Sequence, residues 1–220
     1  MEIKPHYFNL DLLFNFVRSS ELVMVFIHLT NGLIYKSQTS LILSIIIILS
    51  SYVNYFFKHD ISKPIFEKFN DNIPIFGRGS RPEGATDCGY FSNCPKVKAK
   101  SFGFPSGHSQ FAGLHAGFLI KDIIKRKSKK NSFNSLSKSD KLSVIFLLLS
   151  IPLMMYSRVY VEGCHTIEQT IFGSLIGYSM GYFGYDIYDH YKLKINNIFN
   201  LNSTFTRIII FLVCIFLFNI

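Results

Sequence analysis

The sequence predicts an all-α fold, a polytopic membrane bundle of about six transmembrane helices, and three observations carry that reading. Its 220 residues are 49% hydrophobic and only 17% charged, against about 25% charged in a soluble domain. Several stretches approach the roughly 20 mostly apolar residues that a helix needs to cross the hydrocarbon core. Two long polar segments, one of them strongly basic, separate these stretches. With 23 Phe and 12 Tyr the chain has ample apolar surface to bury, which excludes disorder. Four Cys without a repeated CxxC spacing do not make a zinc-finger framework and are too few for a disulfide scaffold.

The clearest span is Ser37–Phe57, which is charge-free and contains the run LILSIIIILS. Leu22–Tyr35 lies between Glu21 and Lys36 and crosses only if its ends snorkel or extend back into Phe16 and Val17. Ser101–Ile120 carries no charge apart from His108 and His115, and His115 is expected to pack within the bundle. Leu142–Ser157, the Gly-rich Gln169–Tyr185 and Ile208–Ile220 complete the set. Tyr7–Val17 reads equally as an interfacial amphipathic lead-in or as an ordinary helix start. The N-terminus lacks a basic region, apolar core and small-residue cleavage site in succession, so no cleaved signal peptide is expected. One membrane-embedded domain over residues 1–220 accounts for the pattern.

Of the polar segments, Lys58–Lys100 is rich in Pro, Gly, Asn and Asp and reads as ordered loop with turns. Lys121–Lys141 holds eight basic and two acidic residues. A short Lys-rich loop between spans reads as a cytosolic topology signal rather than a nucleic-acid patch. Six spans then fix the sides by parity. The Lys36 turn and Asp186–Thr204 join the cytosolic face, leaving the sequon at Asn202 unused. The N-terminus, Lys58–Lys100 and the Arg158–His165 turn take the extracytoplasmic or lumenal face. Cys88, Cys94 and Cys164 would meet an oxidising compartment there, in which a Cys88–Cys94 disulfide could form.

Parity also brings three motif-like stretches to one face: Gly79-Ser80-Arg81-Pro82, Phe104-Pro105-Ser106-Gly107-His108-Ser109-Gln110, and Ser157-Arg158 with His165 and Gln169. Two Arg clusters and two His-bearing helix starts on one side would make an anion site, in keeping with a formal charge of +9. Ser106 is a candidate N-cap whose following amides lack helical partners and favour a bound anion. Gly107 permits close approach of the backbone, and His108 falls in the first turn. Arg158 offers a planar fork of donors suited to phosphate oxygens. His165 offers a nitrogen nucleophile if its other nitrogen is held. Gln169 reads two ways, as that holder or as the partner of Thr166 in a T-x-x-Q capping box.

These stretches resemble the type 2 phosphatidic acid phosphatase superfamily, whose membrane members share K-x6-R-P, P-S-G-H and S-R-x5-H-x3-D. SGHSQF at Ser106–Phe111, and His165, Thr166 and Gln169 as H-T-x-x-Q, look most like the dolichyldiphosphatase branch. The motifs span roughly Lys58 to Gln169. Three departures stand out. Six residues separate Arg158 from His165 where the family has five, which asks for a bulge, with Gly163 the candidate. Gln169 stands where the family usually has Asp. Pro74 lies seven before Arg81 where the family has Lys; Asn54-Tyr55-Phe56-Phe57-Lys58 resembles the approach to that Lys, and Lys63 and Arg78 are its rivals.

The resemblance implies a metal-free, two-step hydrolysis through a phosphohistidine, with no cofactor. His165 would attack phosphorus, and His108 would protonate the departing oxygen and then activate water. Arg81, Arg158 and Lys58, with the Ser106 and Gly107 region, would hold the phosphoryl oxygens. Gln169 would hold His165 without adding charge, which keeps the resting imidazole neutral. The implied partners are the bilayer and a lipid phosphate or diphosphate, a polyprenyl diphosphate first and phosphatidate next, with no nucleic acid and no protein partner. The endoplasmic reticulum is the branch's habit. A lipid phosphotransferase and a non-hydrolysing lipid-phosphate-binding homologue are the alternatives.

Overall fold

The computed structural model describes residues 10–86, 98–99, 101–128, 132–200 and 203–218, and over these the chain is almost entirely helical. Helix α1 is Leu10–Ile34, and α2 is Gln38–Phe56, which runs through a π turn at Phe57–Ser62 into the short α3, Lys63–Lys68. A two-residue hairpin pairs β1 (Asn72–Ile73) with β2 (Gly77–Arg78) antiparallel. Helix α4 is Gly107–Lys127; α5, Lys138–Tyr156, ends in a second π turn at Ser157–Val161; α6 is Ile167–Phe199 and α7 Thr204–Phe218.

Of the two readings of the segment ending at Val17, the ordinary helix start holds, because α1 runs unbroken from Leu10 and supplies the length that Leu22–Tyr35 lacked. Three boundaries differ from expectation. The basic segment Lys121–Lys141 is not all loop, because α4 continues into it to Lys127 and α5 begins within it at Lys138. The segment after Lys58 opens as helix to Lys68 before it turns. Helix α6 continues through Asp186 to Phe199; its 33 residues would reach about 50 Å at 1.5 Å per residue, well beyond a 30 Å hydrocarbon core. Among the described residues, two helical stretches, Gln38–Lys68 and Lys138–Val161, are long and apolar enough to cross a membrane. On α5, Leu142, Ile145, Phe146, Leu149 and Leu153 form an exposed apolar face, which suits contact with lipid.

Helices α4 and α6 form the centre, and glycine sets their spacing. A Cβ at Gly177 would lie 1.8 Å from the carbonyl oxygen of Gln110, and one at Gly181 would lie 2.1 Å from that of Leu114. From the other side, Cβ atoms at Gly113 and Gly117 would lie 2.2 and 2.4 Å from the carbonyls of Ser174 and Tyr178. Small residues every fourth position let two backbones touch, the usual basis of tight packing between membrane helices. At the far end Lys121 pairs with Asp186 at 3.0 Å, and its Nζ sits 3.7 Å above the ring of Tyr182. His115 does pack within the bundle, where it meets His28 of α1 with Nε2 atoms 2.9 Å apart.

Gly177→Ala should therefore force α4 and α6 apart and lower the stability of the protein by about 1–3 kcal/mol or more. Gly184→Ala is the control, since the nearest atom to its Cβ is 3.9 Å away. Thermal unfolding in detergent checks the pair; equal melting of the two variants would contradict the close approach.

Candidate active site

At the end of α2 the π turn directs Lys58 inward, where it is 9% exposed and lies in the field of Arg81, Arg158 and Glu21. Its rivals point elsewhere. Lys63 is exposed, with Glu67 3.9 Å away, and Arg78 donates to Asp71 and to Ser80. Arg81 is fixed by its neighbours: Nε donates to the Ser101 carbonyl at 3.0 Å, Nη2 to the Ser101 hydroxyl at 2.7 Å, and Nη1 to the Cys164 carbonyl at 3.1 Å. That same Nη1 is 3.4 Å from Nε2 of His165.

The turn from Arg158 to His165 absorbs its extra residue through a widened helix. The Glu162 amide bonds to the Ser157 carbonyl five residues back, at 2.9 Å. A π turn of this kind is how an α-helix accommodates one added residue. Gly163 then reverses the chain at φ +62°. The amides of Cys164 and His165 both bond to the Arg158 carbonyl, at 3.1 and 3.3 Å, which holds the two motif residues on one turn. Arg158 is 1% exposed, and its Nη1 donates to Glu162 at 2.7 Å.

Gln169 is fully buried and joins all three stretches. Its Nε2 donates to the carbonyls of Arg78 and Ser80 at 2.8 and 2.7 Å, so the amide nitrogen faces the Arg81 loop and Oε1 faces the other way. Oε1 lies 2.9 Å from Nδ1 of His165 and accepts from the Thr166 amide at 3.3 Å. Because Oε1 can only accept, Nδ1 of His165 carries the proton and Nε2 keeps its lone pair, directed towards Arg81. The Thr166 hydroxyl accepts from the Gln169 amide, which completes a capping box, so both readings of Gln169 hold in one side chain. Its backbone carbonyl accepts from the Ser106 amide at 3.0 Å.

Ser106 takes the N-cap position of α4 with extended backbone, but its buried hydroxyl makes no capping bond and its amide is committed to Gln169. The donors at this helix start are thus the amides after it. Gly107 is approached by Asn54, whose Oδ1 would lie 3.1 Å from a Cβ there. His108 is bonded to the backbone of Arg18 on α1, and the charges of Arg158, Lys58 and Arg81 act upon it. Lys58, Arg81 and Arg158 thus all act electrostatically on both His108 and His165. Burial, then the charges of Arg81, Lys58 and Arg158, hold the His165 imidazole well below its ordinary 6.5, against the hydrogen bond it donates to Gln169. Such a pocket can bind an anion beside a neutral imidazole nitrogen. No three His, Cys, Asp or Glu side chains cluster as metal ligands among the described residues.

The family model described as the PAP2 superfamily matches residues 39–192, more than half of the chain, and the match encloses every residue of this pocket but Arg18 and Glu21. The chain belongs to the PAP2 superfamily. It is 30% identical over 95 residues to dolichyldiphosphatase 1 of Dictyostelium discoideum, a match covering 43% of this chain and 39% of that protein. The chain thus spans about two fifths of that relative's length. No solved structure matches.

Several residues around this site were given no role by the sequence. Ser101 orients Arg81, and Glu162 and Arg18 meet near Arg158, with Arg18 Nε 3.4 Å from Glu162. Asn54 donates to Gln110 at 2.8 Å, and Gln110 donates to Ser50 at 3.0 Å, a buried chain beneath the start of α4. Of these, Asn54 and Gln110 lay inside the quoted motif stretches, and the others carried no signal. Cys164 is disulfide-bonded, which the Cys88–Cys94 bridge offered by the sequence did not include; residues 88 and 94 fall outside the described residues.

Gln169→Glu tests the oriented amide. A carboxylate oxygen would face the carbonyls of Arg78 and Ser80, and leaving them without a donor should cost about 1–3 kcal/mol of stability. Its negative charge beside His165 favours the imidazolium, so the neutral imidazole would be lost at higher pH as pH falls. The acid limb of kcat/KM should move upward in pH relative to wild type. An unmoved limb with unchanged melting would contradict the arrangement.

Proposed function

We propose that this chain is a membrane-bound lipid phosphate or diphosphate phosphohydrolase that works through a phosphohistidine on His165. The observation that carries the reading is the placement of the two ring nitrogens of His165. Gln169 holds the Nδ1–H of His165, and the Nε2 lone pair faces Arg81 at 3.4 Å. Nε2 attacks phosphorus, the bond from phosphorus to the departing oxygen breaks, and His108 gives that oxygen a proton. His108 then takes a proton from water, whose oxygen attacks phosphorus and breaks the P–N bond. Lys58, Arg81 and Arg158, with the first amides of α4, hold the oxygens on which charge grows.

The longer turn and the Gln in place of Asp leave His165 beside Arg81, which favours turnover over mere binding. A polyprenyl diphosphate is the preferred substrate class, from the H-T-x-x-Q stretch and the likeness to a dolichyldiphosphatase. Six helices, α1, α2 and α4 to α7, would cross the bilayer, with the pocket on the extracytoplasmic face. The basic segment at the far end of α4 would lie in the cytosol; the 21 residues of α4 set these ends about 30 Å apart.

The two histidines have different jobs, and phosphate release in detergent separates them. His165→Ala should abolish turnover of every lipid phosphate and form no phosphoenzyme. His108→Ala removes only the proton donor, worth about 10² to 10⁴ in rate. On an aryl phosphate, whose leaving group needs less protonation, its first step should suffer less. Acid-labile label should then accumulate on His165. Label that accumulates in His165→Ala instead would show the roles reversed, and wild-type turnover in both variants would place the chemistry elsewhere.

A further inference from the structure

The catalytic scheme leaves Glu162 without a task, although it is one of the residues in the lengthened turn. Its carboxylate is 4% exposed and surrounded: Oε2 accepts from Arg158 Nη1 at 2.7 Å, Oε1 accepts from the Ser157 hydroxyl at 3.2 Å, and Arg18 Nε lies 3.4 Å from Oε2. A carboxylate this deeply buried is retained only where charged and hydrogen-bonding partners compensate it. Arg18 belongs to α1, and its backbone also receives the hydrogen bond of His108. One residue of the first helix therefore reaches both the proposed acid and, through Glu162, the most buried phosphate-binding arginine.

We infer that Glu162 is a positioning residue for Arg158, and that Arg18 completes it from α1. Arg158 has a long side chain within a π turn, where the helix ladder constrains it less than in an α-helix. Fixing the guanidinium on Glu162 sets the orientation of the whole fork towards the phosphoryl oxygens, where correct placement matters most as charge develops. The carboxylate acts on substrate only through Arg158. Such an interaction is felt in the transition state more than in ground-state binding, so its loss lowers kcat and kcat/KM together. Arg18 sets the angle of Glu162 and lies partly open, with 25% of its side chain exposed, so its loss should weaken the same effect without replacing it.

This inference rests on the phosphohydrolase reading, and the experiment separates their failures. Glu162→Gln, Arg18→Gln and the double variant are compared with wild type for release of phosphate from a short-chain prenyl diphosphate, per folded molecule. Orthovanadate inhibition is measured alongside. Glu162→Gln should lower kcat about 10- to 100-fold, the range for an ångström-scale misplacement. KM should stay within about threefold, and vanadate should bind more weakly in parallel. Arg18→Gln should show a smaller loss of the same kind, and the double variant should be no worse than Glu162→Gln alone. A purely structural ion pair would reduce folded yield while leaving kcat and vanadate affinity per folded molecule unchanged, which overturns the proposal. So does a faster Glu162→Gln enzyme, which would make the carboxylate a competitor of substrate, or a double variant whose losses multiply in full. Should Glu162→Gln not fold, Glu162→Asp keeps the charge and withdraws it by one methylene. Wild-type kcat in both Glu162→Asp and Arg18→Gln then counts against positioning. A wild-type protein that releases no phosphate from any lipid phosphate and takes no label on His165 defeats the phosphohydrolase reading and this inference with it.

Discussion

Everything in the pocket depends on the side chain of Gln169. It is bonded to the Arg81 loop, to His165 and, through its own backbone, to the start of α4. Because two carbonyls demand its amide nitrogen, the oxygen can only face His165, and the tautomer of the imidazole follows. An Asp here would be shorter and would carry no donor for those carbonyls. The Gln is thus matched to this loop, and the absence of charge helps keep the imidazole neutral among three cations. Gly103 makes the fit possible, since a Cβ there would lie 2.6 Å from Nε2 of Gln169.

The scaffold places Gln169 by backbone contact. Glycines let α4 and α6 approach until the carbonyl of one helix nearly touches the other, and the Ser106 amide bonds to Gln169 where the two helices begin. His108 and His165 are then held by two elements that cannot slide independently. An aromatic cluster presses the Arg81 loop onto this pair, with Phe76 stacked on Phe172 at 4.6 Å and Phe104 tilted against Phe172 at 5.5 Å. Lys58 and Arg158 sit on the two π turns, each at the end of a long apolar helix. A π turn loosens the ladder and turns a side chain out of its α register. In both places that turn carries a cation into the pocket.

The sequence made the skeleton of the site legible because its motifs are local. Ser106–His108 and Arg158–Gln169 each lie within one turn or helix start, so spacing alone indicated who could meet. Lys58 and Arg81 were harder, being separated by a hairpin whose length breaks the family spacing; burial and field, not register, set Lys58 apart from Lys63 and Arg78. Arg18 and Glu162 were illegible, since a carboxylate near a basic motif looks like any surface charge until α1 is docked upon it. The spans were read well where apolar runs were uninterrupted, as at Ser37–Phe57. They were misjudged where polar residues are buried by neighbouring helices: Glu21 seemed to end a span but lies within α1, accepting from Ser51 at 3.1 Å. The length of α6 past Asp186 was hidden for a related reason, because its charges pair with Lys121 and Lys125 of α4.

The central claim is that one cationic pocket brings a phosphoryl group against Nε2 of His165. A structure of the protein with orthovanadate tests it most directly, because vanadate adopts the trigonal geometry of phosphoryl transfer. The account predicts vanadium bonded to Nε2 of His165, its equatorial oxygens on Lys58, Arg81 and Arg158, His108 facing the apical oxygen, and Nδ1 still held by Gln169. Vanadate bound away from His165, or bonded to His108 in its place, would contradict it.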